Sequence, residues 1–148
     1  GGLASVLRES GHALASDWIV PQAKYDSMQA AYETAGQFAA RWKATPAEER
    51  PTAVACPNDQ FAICALCAFA EAGLRVPEDL SVVGQDNLPE IRYTVPPLTT
   101  VDFDVPGLIA PAIDLLLARI HKPAKARETV SSPPGRIVPR RSVGPPAA

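Results

Sequence analysis

The sequence predicts an α/β protein, a parallel sheet flanked by helices, and three observations carry that reading. Short apolar runs, TAVAC at 52–56, LSVVGQDN at 80–87 and LTTVDF at 98–103, have the look of buried strands. Segments with helical periodicity lie around them, one from Tyr25 to Thr45 and one from about Asn58 to Gly73. Strands that alternate with helices join into a parallel sheet, because each helix supplies the crossover that a parallel pair needs.

The 148 residues suffice for one domain with a sizeable core, and 47% hydrophobic with 20% charged residues is ordinary for a globular protein. A net charge of −2 gives no overall attraction to nucleic acid or an anionic membrane. The longest apolar run, Phe61 to Ala70, is too short to span a bilayer. The opening GGLASVLRESGH has no secretory pattern, and with no initiator Met we expect a piece of something longer. Three cysteines make no disulfide framework, so a cytoplasmic location is expected.

The elements follow in order. In YDSMQAAYETAGQFAARWKAT, apolar residues recur at Met28, Ala31, Tyr32, Ala35, Phe38, Ala39 and Trp42, one face of a helix. Asp26 with Gln29 can form a capping box at its start. TPAEERP (45–51) breaks the chain, and TAVAC follows as a buried strand. In PNDQFAICALCAFAEAGLRVPED, Asn58 or Asp59 caps a helix and Gly73 ends it. After the strands LSVVGQDN and LTTVDF comes a helix with Leu108, Ile109, Ala112, Leu116 and Ile120 on one face. Pro111 inside it should remove a backbone hydrogen bond and kink or delay the helix. From about His121 the tail is rich in Pro and Arg, extended, with one strand candidate near RIVPRRS (136–142).

The stretch ICALC raises the question of a redox or zinc site, with Cys64 and Cys67 three apart and Cys56 upstream. Reactive pairs sit at helix N-termini, where the dipole favours thiolate, whereas these lie deeper, among Ile, Ala and Leu. Structural zinc needs four ligands, and His12 and His121 are remote. The cysteines therefore read as small apolar residues, with no metal and no cofactor. Their helix is apolar nearly all round, which suggests burial on two sides; one would be the sheet, and a partner subunit could be the other.

Ligands of open parallel sheets bind outside the carboxyl ends of the strands. Asn58 and Asp59 follow the first strand, and Asp86 and Asn87 the second. Amides and carboxylates there can hold neighbouring hydroxyls at two points, the chemistry of sugar recognition. Asn58 serves equally as an N-cap, Asp86 and Asn87 as turn residues. Tyr25 and Asp26 can join the same mouth, or act as a packed aromatic and a cap. No GxSxG elbow, phosphate loop, GxGxxG or HExxH is present, and both histidines read as solvated, so the chain does not read as an enzyme.

The segments NDQFA (58–62), GLRVPEDLSVVGQDN (73–87) and RYTVPPLTTV (92–101) closely resemble the effector-binding core of the LacI/GalR family of bacterial transcriptional repressors. Looser matches run through GLASVLRESGH, YDSMQAAYETA, IDLLLARI and SSPPGRIVPRRS, so nearly the whole chain is covered. The resemblance implies a periplasmic-binding-protein-like type I lobe, mainly the C-terminal one. Residues 1–97 would form that lobe, 98–121 a crossover strand and helix belonging to the N-terminal lobe, and 122–148 a return strand and Pro-rich tail. It implies effector sensing and dimerisation in a repressor whose helix-turn-helix is absent from this chain, so DNA would be met only through that missing headpiece. The alternative is a periplasmic sugar-binding protein of a transporter, which shares the fold. By position, Asn58 and Asp86 match effector contacts, and Asp26 falls where an aromatic often stacks, a role Tyr25 can take over. Phe103 lies in the strand bordering the cleft. An arginine that often clamps the effector would precede Gly2, and Gln85 replaces a common aromatic. The family dimer would be a homodimer through the C-terminal lobe, with Ile63, Cys64, Cys67, Arg92 and Tyr93 at or near the interface. On that expectation Ile63→Lys gives monomers by light scattering, and an unchanged dimer removes the idea.

Overall fold

The computed structural model describes residues 2–12, 16–20, 27–121 and 134–146. Four helices and four strands follow one another: α1 (Gly2–Glu9), α2 (Met28–Ala44), β1 (Ala53–Ala55), α3 (Asp59–Glu71), β2 (Ser81–Gln85), β3 (Thr99–Asp102), α4 (Val105–His121) and β4 (Arg136–Val138). Short 3₁₀ turns occupy Ser16–Trp18, Ala47–Glu49 and Pro89–Tyr93.

The strands form one sheet in the order β1-β2-β3-β4. β1, β2 and β3 are parallel, with Val54 opposite Val82 and Gly84 opposite Thr100. β4 pairs antiparallel to β3, with Arg136 opposite Asp102 and Val138 opposite Thr100. The sheet is thus mostly parallel rather than wholly so. The tail enters beside the carboxyl end of β3 and runs back down it, instead of first crossing to the amino edge as a parallel partner must.

The core lies between this sheet and the pair α2 and α3. Ala31, Ala35, Ala39 and Trp42 are buried along α2, and Ala62, Ala65, Leu66 and Phe69 along α3. Alanines on the facing stripes let the two helices approach closely, and larger groups close the ends of the seam. Phe38 meets Phe69 at 5.6 Å between ring centroids, and Trp18 meets Phe38 edge-on at 5.1 Å. The Trp42 indole N–H donates to the Pro51 carbonyl at 2.9 Å. On the sheet side the core is completed by Leu80, Val82, Ile91 and Leu98, all nearly or fully buried.

Some expectations hold and others change. The cap of α2 is Ser27, whose hydroxyl accepts from the Ala30 N–H at 3.1 Å, while Gln29 bonds Glu33 one turn on instead of closing a box. Asn58 caps α3, and Gly73 follows its end in the left-handed region at φ +75°. β1 is not deeply buried: Ala53 and Ala55 are exposed, because among the described strands it is an edge. α4 runs unbroken through Pro111 and buries none of its residues. β3, which opens the expected crossover segment 98–121, is hydrogen-bonded between β2 and β4. Cys64 and Cys67 do not share an environment, since Cys64 faces the interior and Cys67 is exposed.

Beyond β4 the chain passes beneath the amino ends of β3 and β2. The buried Ser142 hydroxyl accepts from the Thr99 N–H at 2.8 Å and donates to the Val82 carbonyl at 2.6 Å, and Val82 N–H donates to the Ser142 carbonyl at 2.8 Å. One oxygen thus serves a donor and an acceptor on neighbouring strands, which only a hydroxyl of this size can do there. Ser142→Ala leaves both groups unsatisfied in the interior and should lower stability by about 1–3 kcal/mol, read as a smaller urea midpoint at an unchanged m-value.

Candidate functional site at the carboxyl edge of the sheet

Because β1, β2 and β3 are parallel neighbours, their carboxyl ends open on one edge. Three short exits meet there: Cys56 to Asn58 after β1, Asp86 and Asn87 after β2, and Phe103 and Asp104 after β3. Asn58, Asp86 and Phe103, three of the positions read from the sequence, therefore come from adjacent exits. Tyr25 and Asp26 lie outside the described residues.

Asn58 is half-buried, and its Oδ1 accepts from the Phe61 N–H at 2.8 Å. The cap uses the oxygen, and the amide NH₂ at the same position brings two donors to the edge. Asp59, beside it, is fully buried. Its Oδ1 accepts from the Thr100 hydroxyl at 2.6 Å and its Oδ2 from the Leu88 N–H at 2.9 Å. A carboxylate in the first turn of a helix is also favoured by the helix dipole. Asp59 thereby ties α3 to β3 and to the loop after β2. From sequence alone Asp59 reads only as a polar neighbour of Asn58 or an alternative cap. The available signal was Gly84 inside a strand, which marks a close approach. A Cβ at Gly84 would collide with the Asp59 carboxylate and reach 3.0 Å from Leu98.

Asp86 and Asn87 both have left-handed backbones, at φ +111° and +57°. Short polar residues enter that region more readily than others. Asp86 is exposed, and its N–H donates to the Val101 carbonyl at 2.9 Å. Partial burial and then the nearby Asp59 carboxylate push its carboxyl up from the usual range, against a hydrogen bond with Gln85. Asn87 is held at both ends of its amide: Nδ2 donates to Asp102 Oδ2 at 3.2 Å, and Oδ1 accepts from Arg140 Nη2 at 2.8 Å. Asp102 is held below the ordinary carboxylate range by the Asp104 N–H first and then by Arg136, whose Nη2 lies 3.2 Å away. Phe103 packs its ring against Gly135, where a Cβ would lie 2.8 Å from the ring edge.

Cys56 also lies at this edge. Burial pushes its thiol up to about 12, with Cys64 and Asp59 adding, and burial raises Cys64 as well. Both stay protonated at neutral pH, which removes thiolate chemistry from them. Among the described residues no three His, Cys, Asp or Glu side chains are grouped to hold a metal. His12 and His121 are both exposed.

Ile63 is half-buried and Cys67 exposed on α3, and Arg92 is exposed in the 3₁₀ turn Pro89–Tyr93. Tyr93 is 84% exposed and Val95 88%, which is unusual for large apolar groups two residues apart. Cys64 is turned into its own chain.

Residues 2–143 fit the periplasmic binding protein-like domain. The chain belongs to that family. Similar proteins include transcriptional repressors called PurR from Erwinia tasmaniensis, 37% identical over 142 residues, and Pasteurella multocida, 34% identical over 142 residues. Each alignment takes in 96% of this chain but only 39% and 40% of the relative, so the chain spans about two fifths of their length. Among solved structures, a LacI-family regulator from Sanguibacter keddieii is similar at a TM-score of 0.80 and 31% identity, covering 97% of this chain and 52% of that one. A LacI-type regulator from Bifidobacterium animalis gives 0.81 at 29% identity, covering 97% and 48%. A LacI-family regulator from an Arthrobacter species, in complex with lactose, gives 0.73 at 28% identity, covering 96% and 49%. These relatives are regulators of transcription.

The raised Asp86 carboxyl has a stability consequence with a defined sign. The folded state binds its proton more tightly than the unfolded chain, so this group's contribution falls as pH rises through the carboxylate range. Asp86→Asn should therefore raise the thermal midpoint at pH 7, and the gain should close as the pH is lowered below that range. A gain independent of pH would instead trace to the backbone preference of Asn at a positive φ.

Proposed function

We propose that this chain is the effector-sensing and dimerisation part of a LacI-type repressor, and that its ligand is a sugar or a similar polyhydroxylated molecule. The observation that carries the reading is the convergence of Asn58, Asp86 and Phe103 at the ends of three adjacent parallel strands. An amide and a carboxylate can take neighbouring hydroxyls at two points, and an aromatic ring beside them covers the apolar face of a pyranose. The lactose complex of the Arthrobacter relative supports that ligand class. Tyr25 and Asp26 would join the mouth from the chain before α2. In this reading α4 belongs with a second lobe, which gives a place to its exposed Ile109, Ile113, Leu116 and Ile120. Effector binding between lobes would favour one arrangement of them, and a DNA-binding headpiece outside this chain would read the change in the cytoplasm. The partner copy would cover Ile63, Cys67, Arg92 and Tyr93, with Cys64 supporting them from inside.

The test is calorimetric titration of the intact regulator with lactose, sucrose and glucose. Binding of at least one is expected, and Asp86→Ala and Asn58→Ala should each weaken it by about tenfold or more, the loss of a hydrogen bond to a buried polar group. Binding of none of the three, or undiminished binding in both variants, would overturn the sugar reading.

A further inference from the structure

The return strand makes a set of contacts that binding at Asn58, Asp86 and Phe103 does not by itself require. Arg140 lies two residues beyond β4 and is half-buried. Its Nη2 donates to Asn87 Oδ1 at 2.8 Å, its Nη1 donates to the Leu98 carbonyl at 2.7 Å, and its backbone N–H donates to the Thr99 hydroxyl at 2.9 Å. The far end of the Asn87 amide is bonded to Asp102, which Arg136 also holds. Gly135 seats the Phe103 ring. Within one short segment, residues 135–140, lie contacts to the exit of β2 and to the exit of β3.

The turn at Asp86 and Asn87 needs such a support. Two successive non-glycine residues in the left-handed region persist only where their surroundings hold them. Asp86 itself is held by a backbone bond to Val101, and Asn87 by side chains on β3 and by Arg140. We propose that Arg140 is a positioning residue for the ligand site: it locks the Asn87 amide and thereby sets the direction of the Asp86 carboxylate. This rests on the reading that Asp86 meets the effector. The guanidinium is required because its two N–H groups serve acceptors on different elements, a loop amide and a carbonyl before β3. A single ammonium cannot span both in that planar arrangement. The polarity of the lock also fixes which way the Asn87 amide faces, since only its NH₂ end can meet the Asp102 carboxylate.

The experiment uses the intact regulator with Arg140→Gln, Arg140→Lys and Asn87→Ser, and Arg141→Gln as a control whose side chain is exposed. The Asp86 carboxyl is titrated by carbon-detected NMR, with Asp59, Asp102 and Arg136 as the neighbouring charges that remain. Core amide signals around Ala39 and Phe69 report the fold. An altered Asp86 titration in Arg140→Gln and Arg140→Lys with unchanged core signals is expected, and no change in Arg141→Gln. Asn87→Ser removes the acceptor from the other side and should alter the titration in the same direction. Lactose, sucrose and glucose are then titrated calorimetrically, and any that binds the wild type should bind Arg140→Lys about tenfold or more weakly. An Asp86 titration in Arg140→Lys and Asn87→Ser that superimposes on the wild type would overturn the proposal. If the wild type binds none of the three sugars, the sugar reading fails, while the Asp86 titration still decides the role of Arg140.

Discussion

The buried carboxylate of Asp59 is the constraint on which the carboxyl edge of the sheet depends. It is fully enclosed, accepts from the Thr100 hydroxyl and the Leu88 N–H, and stands at the first turn of α3. Three elements that are far apart in sequence are thereby brought to one point. Hydrogen bonds to a charged group contribute about 1.5–3 kcal/mol each, more than a neutral pair, and leaving such a group unpaired in the interior costs correspondingly more. The surroundings are shaped to admit it: Gly84 leaves the space its oxygen occupies, and Thr100 presents its hydroxyl from the centre of the sheet. A substitution at any of these positions acts on the others.

That arrangement explains how polar groups at the edge differ in character although they are neighbours. Asp59 is spent on structure, so in the reading proposed above recognition is left to its neighbours Asn58 and Asp86. The Asp59 charge reaches outward as well, helping to raise Asp86 and the Cys56 thiol. Asp102 faces the opposite balance, with the Asp104 N–H and two side-chain donors, Arg136 and Asn87, drawing its carboxyl down. Two carboxylates at the ends of adjacent strands thus differ in proton affinity, because one is partly buried and faces a carboxylate while the other faces donors.

The apolar faces divide in a similar way. The alanine stripes of α2 and α3 satisfy each other, and Phe69, Leu80 and Ile91 fill the space between helix and sheet. Among the described residues, Tyr93, Val95 and most of the apolar side chains of α4 stay exposed. Exposed groups of this size are consistent with the assembly proposed above, in which a second lobe and a second copy cover them.

Much of the architecture was legible from sequence because it depends on local pattern. Apolar runs bounded by turn residues marked β1, β2 and β3, the 3.6 period marked α2, and Asn58 and Gly73 marked the ends of α3. The strand-to-helix alternation, together with the rule that parallel strands gather their carboxyl ends, located Asn58 and Asp86 in advance. What the sequence left open depends on contacts between distant segments. Ser27 caps α2, since several polar residues there could serve and geometry selects one. Cys64 and Cys67 have the same spacing as any helical neighbours, and only packing against the core separates a buried thiol from an exposed one. The tie of Asp59 to Thr100, the hold of Arg140 on Asn87 and the insertion of Ser142 between Thr99 and Val82 join residues 41, 53 and 43 or more positions apart. No local period encodes such pairs. By itself the sequence determined the elements and the edge where a ligand can sit, because those follow from burial and backbone preference. Only the tertiary structure decided which polar groups support that edge and which face outward from it, because a hydrogen bond is assigned by where the folded chain brings its two ends.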